Sequence, residues 1–179
     1  MAPYDDVMIF NIRKITISKY HGYHYRQCTN TMNFILKKKS SVSRDKLYSI
    51  SIDVENFPKV MPKYFKSIIV RKTIGNEIFV DEKIHFLGSF LDVKTKHVIT
   101  HPRIHEVHIL SGLLRGSSFV ESYDETSDGV NVVIDVSIMF NGVSKLLLPF
   151  GFLIKMQMAR VMSEFLDSAE KIIFDLNDK

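Results

Sequence analysis

Six strand-like segments follow one another between Ser67 and Phe140, and the gaps between them are too short to hold a helix. Residues 67–73 and 77–87 flank the turn pair Gly75-Asn76, and residues 90–100 follow Gly88-Ser89. Residues 104–110 follow His101-Pro102-Arg103, 113–124 follow Ser111-Gly112, and 130–140 follow Ser127-Asp128-Gly129. Parallel neighbours need a crossover of about a dozen residues or more, so segments joined this closely can pair only antiparallel. In the last segment Val132, Ile134, Val136, Ile138 and Phe140 alternate with Val133, Asp135, Ser137 and Met139. That period of two buries one face of a strand and leaves the other half-covered.

A sheet with this much apolar face must lie against something, and residues 145–176 form the one long element left to cover it. From Met158 onward Val161, Met162, Phe165, Leu166, Ala169, Ile172, Ile173 and Leu176 recur in steps of three and one, the stripe of an amphipathic helix. Arg160/Glu164 and Asp167/Lys171 on its polar side stand at the i,i+4 spacing that lets charges pair. The residues before Met158 are apolar nearly all round: Leu146, Leu147, Leu148, Phe150, Phe152, Leu153, Ile154 and Met156, with Pro149 and Gly151 breaking the start. Such a run needs a second apolar neighbour, whether protein, ligand or membrane surface. At 146–154 it is shorter than the roughly 18 to 20 residues of a membrane span.

Ahead of the sheet, residues 34–42 read as a strand whose lysine run suits an exposed edge. Ser43 is a plausible N-cap for a short helix with Leu47, Ile50 and Val54 on one face. Asn56, Phe57 and Pro58 start a second short helix, which Pro62 stops. Residues 1–31 carry no sustained period and read as an N-terminal extension, with Met32 an alternative start; residues 32–179 form one domain. Asp5, Asp6, Arg13 and Lys14 interrupt any signal-peptide pattern, and the single Cys28 excludes an internal disulfide framework. A cytoplasmic protein is the expectation.

The order is strand, two short helices, six strands, long helix. With it go Ser43-Arg44-Asp45-Lys46-Leu47-Tyr48-Ser49-Ile50 and Asp53-Val54-Glu55-Asn56-Phe57-Pro58-Lys59-Val60-Met61-Pro62. These residues resemble the opening of the START-like (SRPBCC) helix-grip superfamily. The likeness is nearest to its coenzyme-Q-binding START group, which also includes polyketide cyclase/dehydrase-type proteins and a ribosome-association toxin. The resemblance covers residues 34–174. It implies an α+β fold in which a curved antiparallel sheet of about seven strands wraps a long C-terminal helix around a lipophilic cavity. One architecture of this kind serves many ligands, so the fold does not name one.

Wide, adaptable side chains suit such a cavity, and Phe57, Met61, Tyr64, Phe86, Phe90, Phe119, Ile134, Phe152 and Met156 are the expected ligand-binding set. Arg115, Glu121, Tyr123 and Asp135 are the strand polar residues able to point inward and act as acid or base in a cyclase-like enzyme, with exposure on the outer face the commoner outcome. His85, His97, His101, His105 and His108 lack the spacing and partners of a metal site; parity puts His105 and His108 on opposite faces, and hydrogen-bonded structural roles fit them better. No nucleophile elbow or phosphate loop is present, and no cofactor or metal is expected. Residues 37–72 hold ten basic and three acidic side chains, against ten and fifteen after Lys72. That asymmetry suggests peripheral contact with an anionic membrane, and less readily with ribosome or RNA. The leading expectation is a binding protein or carrier for an isoprenoid quinone or lipid; a polyketide cyclase or dehydratase is the alternative.

Overall fold

The computed structural model describes residues 30–177. The chain runs β1 (Thr31–Ser40), α1 (Arg44–Ile52), a 3-10 turn (Val54–Asn56), α2 (Phe57–Val60), β2 (Phe65–Ile74), β3 (Glu77–Phe86), β4 (Ser89–Thr100), β5 (Ile104–Ile109), β6 (Ser118–Thr126), β7 (Gly129–Met139), a 3-10 helix (Gly142–Phe150) and α3 (Gly151–Asn177). The seven strands form one antiparallel sheet in the order β1-β7-β6-β5-β4-β3-β2. First and last strands are neighbours, so α1 and α2 carry the chain from one sheet edge to the other. Apart from Asn30 and Thr31, the expected N-terminal extension lies outside the described residues. Thr31 pairs with Met139 as the first rung of β1.

Alternation decides what each strand contributes. Val130, Val132, Ile134, Val136 and Ile138 of β7 are buried, while Asn131, Asp135 and Met139 are exposed. Phe34 and Leu36 of β1 join them in the main core with Ile154, Met162, Leu166, Ala169 and Ile173 of α3. Those α3 positions lie eight, four, three and four residues apart, which keeps them on one stripe of a 3.6-residue helix. The β6–β7 turn needs Gly129, because a Cβ there would stand 2.1 Å from the Ser40 carbonyl oxygen.

Two boundaries and one capping bond differ from the sequence reading. Residues 113–117 are a turn rather than the start of β6. Gly112 and Gly116 take φ of 78° and 90°, and Ile109 is hydrogen-bonded to both Gly116 and Ser117 across the reversal. The long helix begins at Gly151 rather than Met158, and with the 3-10 helix it makes an unbroken helical stretch, Gly142–Asp175. By length and composition that stretch is long and apolar enough to cross a membrane, and packing on the sheet accounts for its buried stripe. Ser43 occupies the N-cap position of α1 without making a side-chain cap hydrogen bond.

The basic region 37–72 is contiguous in sequence but spread out in space, since β1 and β2 are opposite edges of the sheet. Several of its members meet acidic residues: Lys39 with Asp128, Arg44 with Glu125, Lys63 with Glu164 and Arg71 with Asp81.

Candidate functional site

Between the concave face of the sheet and the middle of α3 lies a cavity of about 170 Å³. Phe57 and Met61 from the α2 region, Tyr64 just before β2, and Ile84, Phe86, Val93, Val107, Phe119, Val132 and Ile134 from the strands line it. Met158, Val161, Met162 and Phe165 of α3 close the other side. Tyr64 ties the two sides together: its hydroxyl donates to Glu164 of α3 at 2.9 Å, and Lys63 donates to the same oxygen at 3.0 Å. Burial, reinforced by the Glu164 carboxylate, raises Tyr64 above the usual phenol value, while the Lys63 hydrogen bond holds Glu164 below the usual carboxyl range.

Of the nine residues expected to bind ligand, Phe57, Met61, Tyr64, Phe86, Phe119 and Ile134 stand in the cavity wall. Phe90, Phe152 and Met156 stand outside it, 57%, 66% and 42% exposed. The geometry is simple. In β4 the odd-numbered Val93, Thr95 and His97 face inward, so Phe90 faces outward and packs on His85 at 5.1 Å. Phe152 and Met156 each lie two residues, about 200° of helix, from the buried Ile154. With Val143, Leu146, Leu148 and Phe150 they form an exposed apolar surface leading into α3.

One part of the wall is polar. The Thr95 hydroxyl donates to Glu82 Oε1, which also meets His97 Nε2 at 2.8 Å. His97 Nδ1 lies 2.9 Å from His105 Nε2, the two rings stacking at 5.1 Å between centroids. His105 Nδ1 reaches Glu121 Oε2 at 3.3 Å, and the Tyr123 hydroxyl donates to that oxygen at 2.9 Å. Glu82, Thr95, His97 and His105 are all buried, and no buried side-chain nitrogen or oxygen among the described residues lacks a partner. Burial, with the Glu121 charge, pushes the Tyr123 hydroxyl well above the usual phenol value; Tyr48, whose hydroxyl donates to the Ile104 carbonyl, is raised for the same two reasons.

Of the four polar strand residues weighed in the sequence, Glu121 and Tyr123 face the cavity, while Arg115 and Asp135 are exposed. His105 and His108 fall on opposite faces: His105 is buried, and His108 sits half-exposed against Glu106 at 3.1 Å. Glu82 and Thr95 were not singled out in the sequence, and the pairing of His97 with His105 was not foreseen. The available signal was parity, since Lys94 and Lys96 facing water turn Thr95 and His97 inward beside Val93. Among the described residues no group of three His, Cys, Asp or Glu side chains is arranged to hold a metal ion. In this chain the ring nitrogens point at one another and at carboxylates rather than at a common centre.

No protein-family model and no curated protein sequence matches the chain. Solved structures do. The Zhui aromatase/cyclase from Streptomyces sp. R1128 superposes with a TM-score of 0.70 at 9% identity, covering 80% of this chain and 96% of that one. Norcoclaurine synthase from Thalictrum flavum, in complex with dopamine and hydroxybenzaldehyde, gives 0.63 at 13% identity, covering 88% and 98%. The di-domain ARO/CYC BexL from the BE-7585A biosynthetic pathway gives 0.64 at 10% identity over 79% of this chain, which spans only 49% of that protein's length. At these identities the likeness is one of architecture: a seven-stranded antiparallel sheet closed on a long C-terminal helix, the Bet v 1-like helix-grip fold.

Proposed function

We propose that this protein binds or carries a hydrophobic small molecule, of the isoprenoid quinone or lipid class, in the cavity between the sheet and α3. The observation that carries the reading is the wall itself: aromatic, methionine and branched aliphatic side chains around a single polar chain. Burial of apolar ligand surface contributes about 25 cal/mol per Å², so a largely enclosed ring system binds without many polar contacts. An engineered apolar cavity of about 150 Å³ takes up benzene. On that scale the cavity houses one ring, and a longer tail would leave along the exposed Met156, Phe152 and Phe150 side of the helix. The sequence likeness to the coenzyme-Q-binding START group supports a ring-and-tail ligand. Anionic membrane contact through the exposed 143–156 surface would serve loading.

A second reading, a polyketide cyclase- or dehydratase-like enzyme, draws on Glu121 and Tyr123 facing the cavity and on the aromatase/cyclase among the structural neighbours. Organic extraction of purified protein followed by mass spectrometry tests the leading reading. A stoichiometric lipophile is expected. No such compound, together with no uptake of quinones or lipids offered in vesicles, would contradict it. If the enzyme reading holds, Glu121→Ala abolishes turnover of a polyketide-like substrate and spares its binding.

A further inference from the structure

The polar chain in the cavity wall has three links: Glu82 to His97, His97 to His105, and His105 to Glu121. Each link needs one proton, because two lone pairs facing each other at these distances repel. The carboxylates of Glu82 and Glu121 are the acceptor ends of the chain, and the imidazoles lie between them. Every ring nitrogen is committed to a link, so neither histidine has a free donor or acceptor for a ligand.

The ends of the chain differ. Glu82, His97 and His105 keep 5%, 2% and 1% side-chain exposure, against 21% for Glu121. Each terminal carboxylate lines the cavity and has one oxygen, Glu82 Oε2 and Glu121 Oε1, that takes no hydrogen bond from any described residue; the greater exposure of Glu121 makes its Oε1 the reachable one. What the chain offers a ligand is a carboxylate acceptor.

We infer that this cavity selects apolar ring compounds bearing a hydroxyl donor, such as a phenol or hydroquinone, and that Glu121 Oε1 receives the hydroxyl. The inference rests on the proposed ligand-binding reading and narrows its quinone class to the reduced, hydroxyl-bearing form. A quinone carbonyl or an ether has no proton to give, so its oxygen would face the carboxylate unpaired. A ligand carboxylate adds like-charge repulsion in a poorly solvated site. An ammonium group would have to leave water for walls that are otherwise apolar, a cost a neutral hydroxyl avoids. Tyr123 already shows the arrangement from inside the protein, a phenol donating to Glu121 at 2.9 Å.

The test is calorimetric titration of the full chain with 4-butylphenol, 4-butylanisole and 4-butylbenzoate, which share a body and differ in the polar group. A hydrogen bond to a charged acceptor predicts that the phenol binds about tenfold or more tighter than the anisole, with the benzoate weakest. In Glu121→Gln, whose amide can donate as well as accept, the phenol-to-anisole ratio should fall to about one, because the amide serves an ether oxygen as readily as a hydroxyl. Tyr123→Phe, which removes a competing donor, should keep or increase the phenol preference. Equal binding of phenol and anisole by the unmodified protein would overturn the inference, as would a preference that survives Glu121→Gln or disappears in Tyr123→Phe; binding of the probes would in each case leave the ligand-carrying reading standing. Binding of none of the three would count against that reading itself.

Discussion

The two halves of the cavity wall are built on opposite terms. On the α2 and α3 side stand Phe57, Met61, Met158, Val161, Met162 and Phe165, each contributing shape and area but no directed bond. Such residues exchange for others of similar volume at modest cost. On the β3–β6 side, Glu82, Thr95, His97, His105 and Glu121 are joined end to end by hydrogen bonds, so removing one strands its neighbours. The apolar half accounts for why a lipophile would enter. The polar half accounts for how the ligand would be oriented once inside, because most of the directional groups at the cavity stand there.

The largest expected effect breaks that contrast at its strongest point. His97→Leu leaves the buried Glu82 carboxylate with Thr95 as its remaining partner, and should cost about 3–5 kcal/mol in chemical denaturation. Converting Glu82 to Met in the same chain should recover most of the loss, since an apolar pair of similar volume replaces the stranded charge. A cost under about 1 kcal/mol for His97→Leu would mean the chain is not a coupled unit. A smaller effect sharpens the other side. Phe152→Ser, at a residue 66% exposed, should change stability by no more than about 0.5 kcal/mol while slowing uptake of a hydroquinone from anionic vesicles. Equal loss of stability and uptake would return the exposed 143–156 surface to an ordinary packing role.

The smallest effect concerns the Lys63–Tyr64–Glu164 contact that joins the two halves. Glu164 is held below its ordinary range when folded, so its contribution is present above the unfolded carboxyl value and is lost as the pH falls through the folded one. Solvent screens this contact at the surface. The stability difference between the unmodified protein and Glu164→Gln should thus be slight near neutrality and vanish under acid. A difference that grows on acidification would reverse the sign of the argument.

Much of this was legible in the sequence because it rests on period and spacing. Short gaps dictated antiparallel pairing, the Val132–Phe140 alternation placed β7 with one face inward, and the stripe after Met158 marked the gripped helix. Six of the nine expected ligand residues stand in the wall, although all nine were picked for wide, adaptable side chains rather than for period. Phe90 was read by its size rather than its parity. Phe152 and Met156 were read by proximity to the stripe rather than by their angle around it. The polar chain was harder to see. It depends on Glu82, His97, His105 and Glu121 meeting across four strands, and strand register is a property of pairing rather than of any one segment. The basic stretch 37–72 misled in the opposite direction, since neighbours in sequence became opposite edges of a sheet.

The central claim is that an apolar ligand occupies the interior rather than the exposed lead-in to α3. Methionines report on both places: Met61, Met158 and Met162 line the cavity, while Met156 and Met139 are 42% and 37% exposed. The most direct measurement is therefore a titration of methyl-labelled methionine with 4-butylphenol, followed by NMR. The account predicts saturable shifts at Met61, Met158 and Met162 with Met139 unmoved. Shifts confined to Met156, or no saturable shift at any of the three cavity methionines, would contradict it.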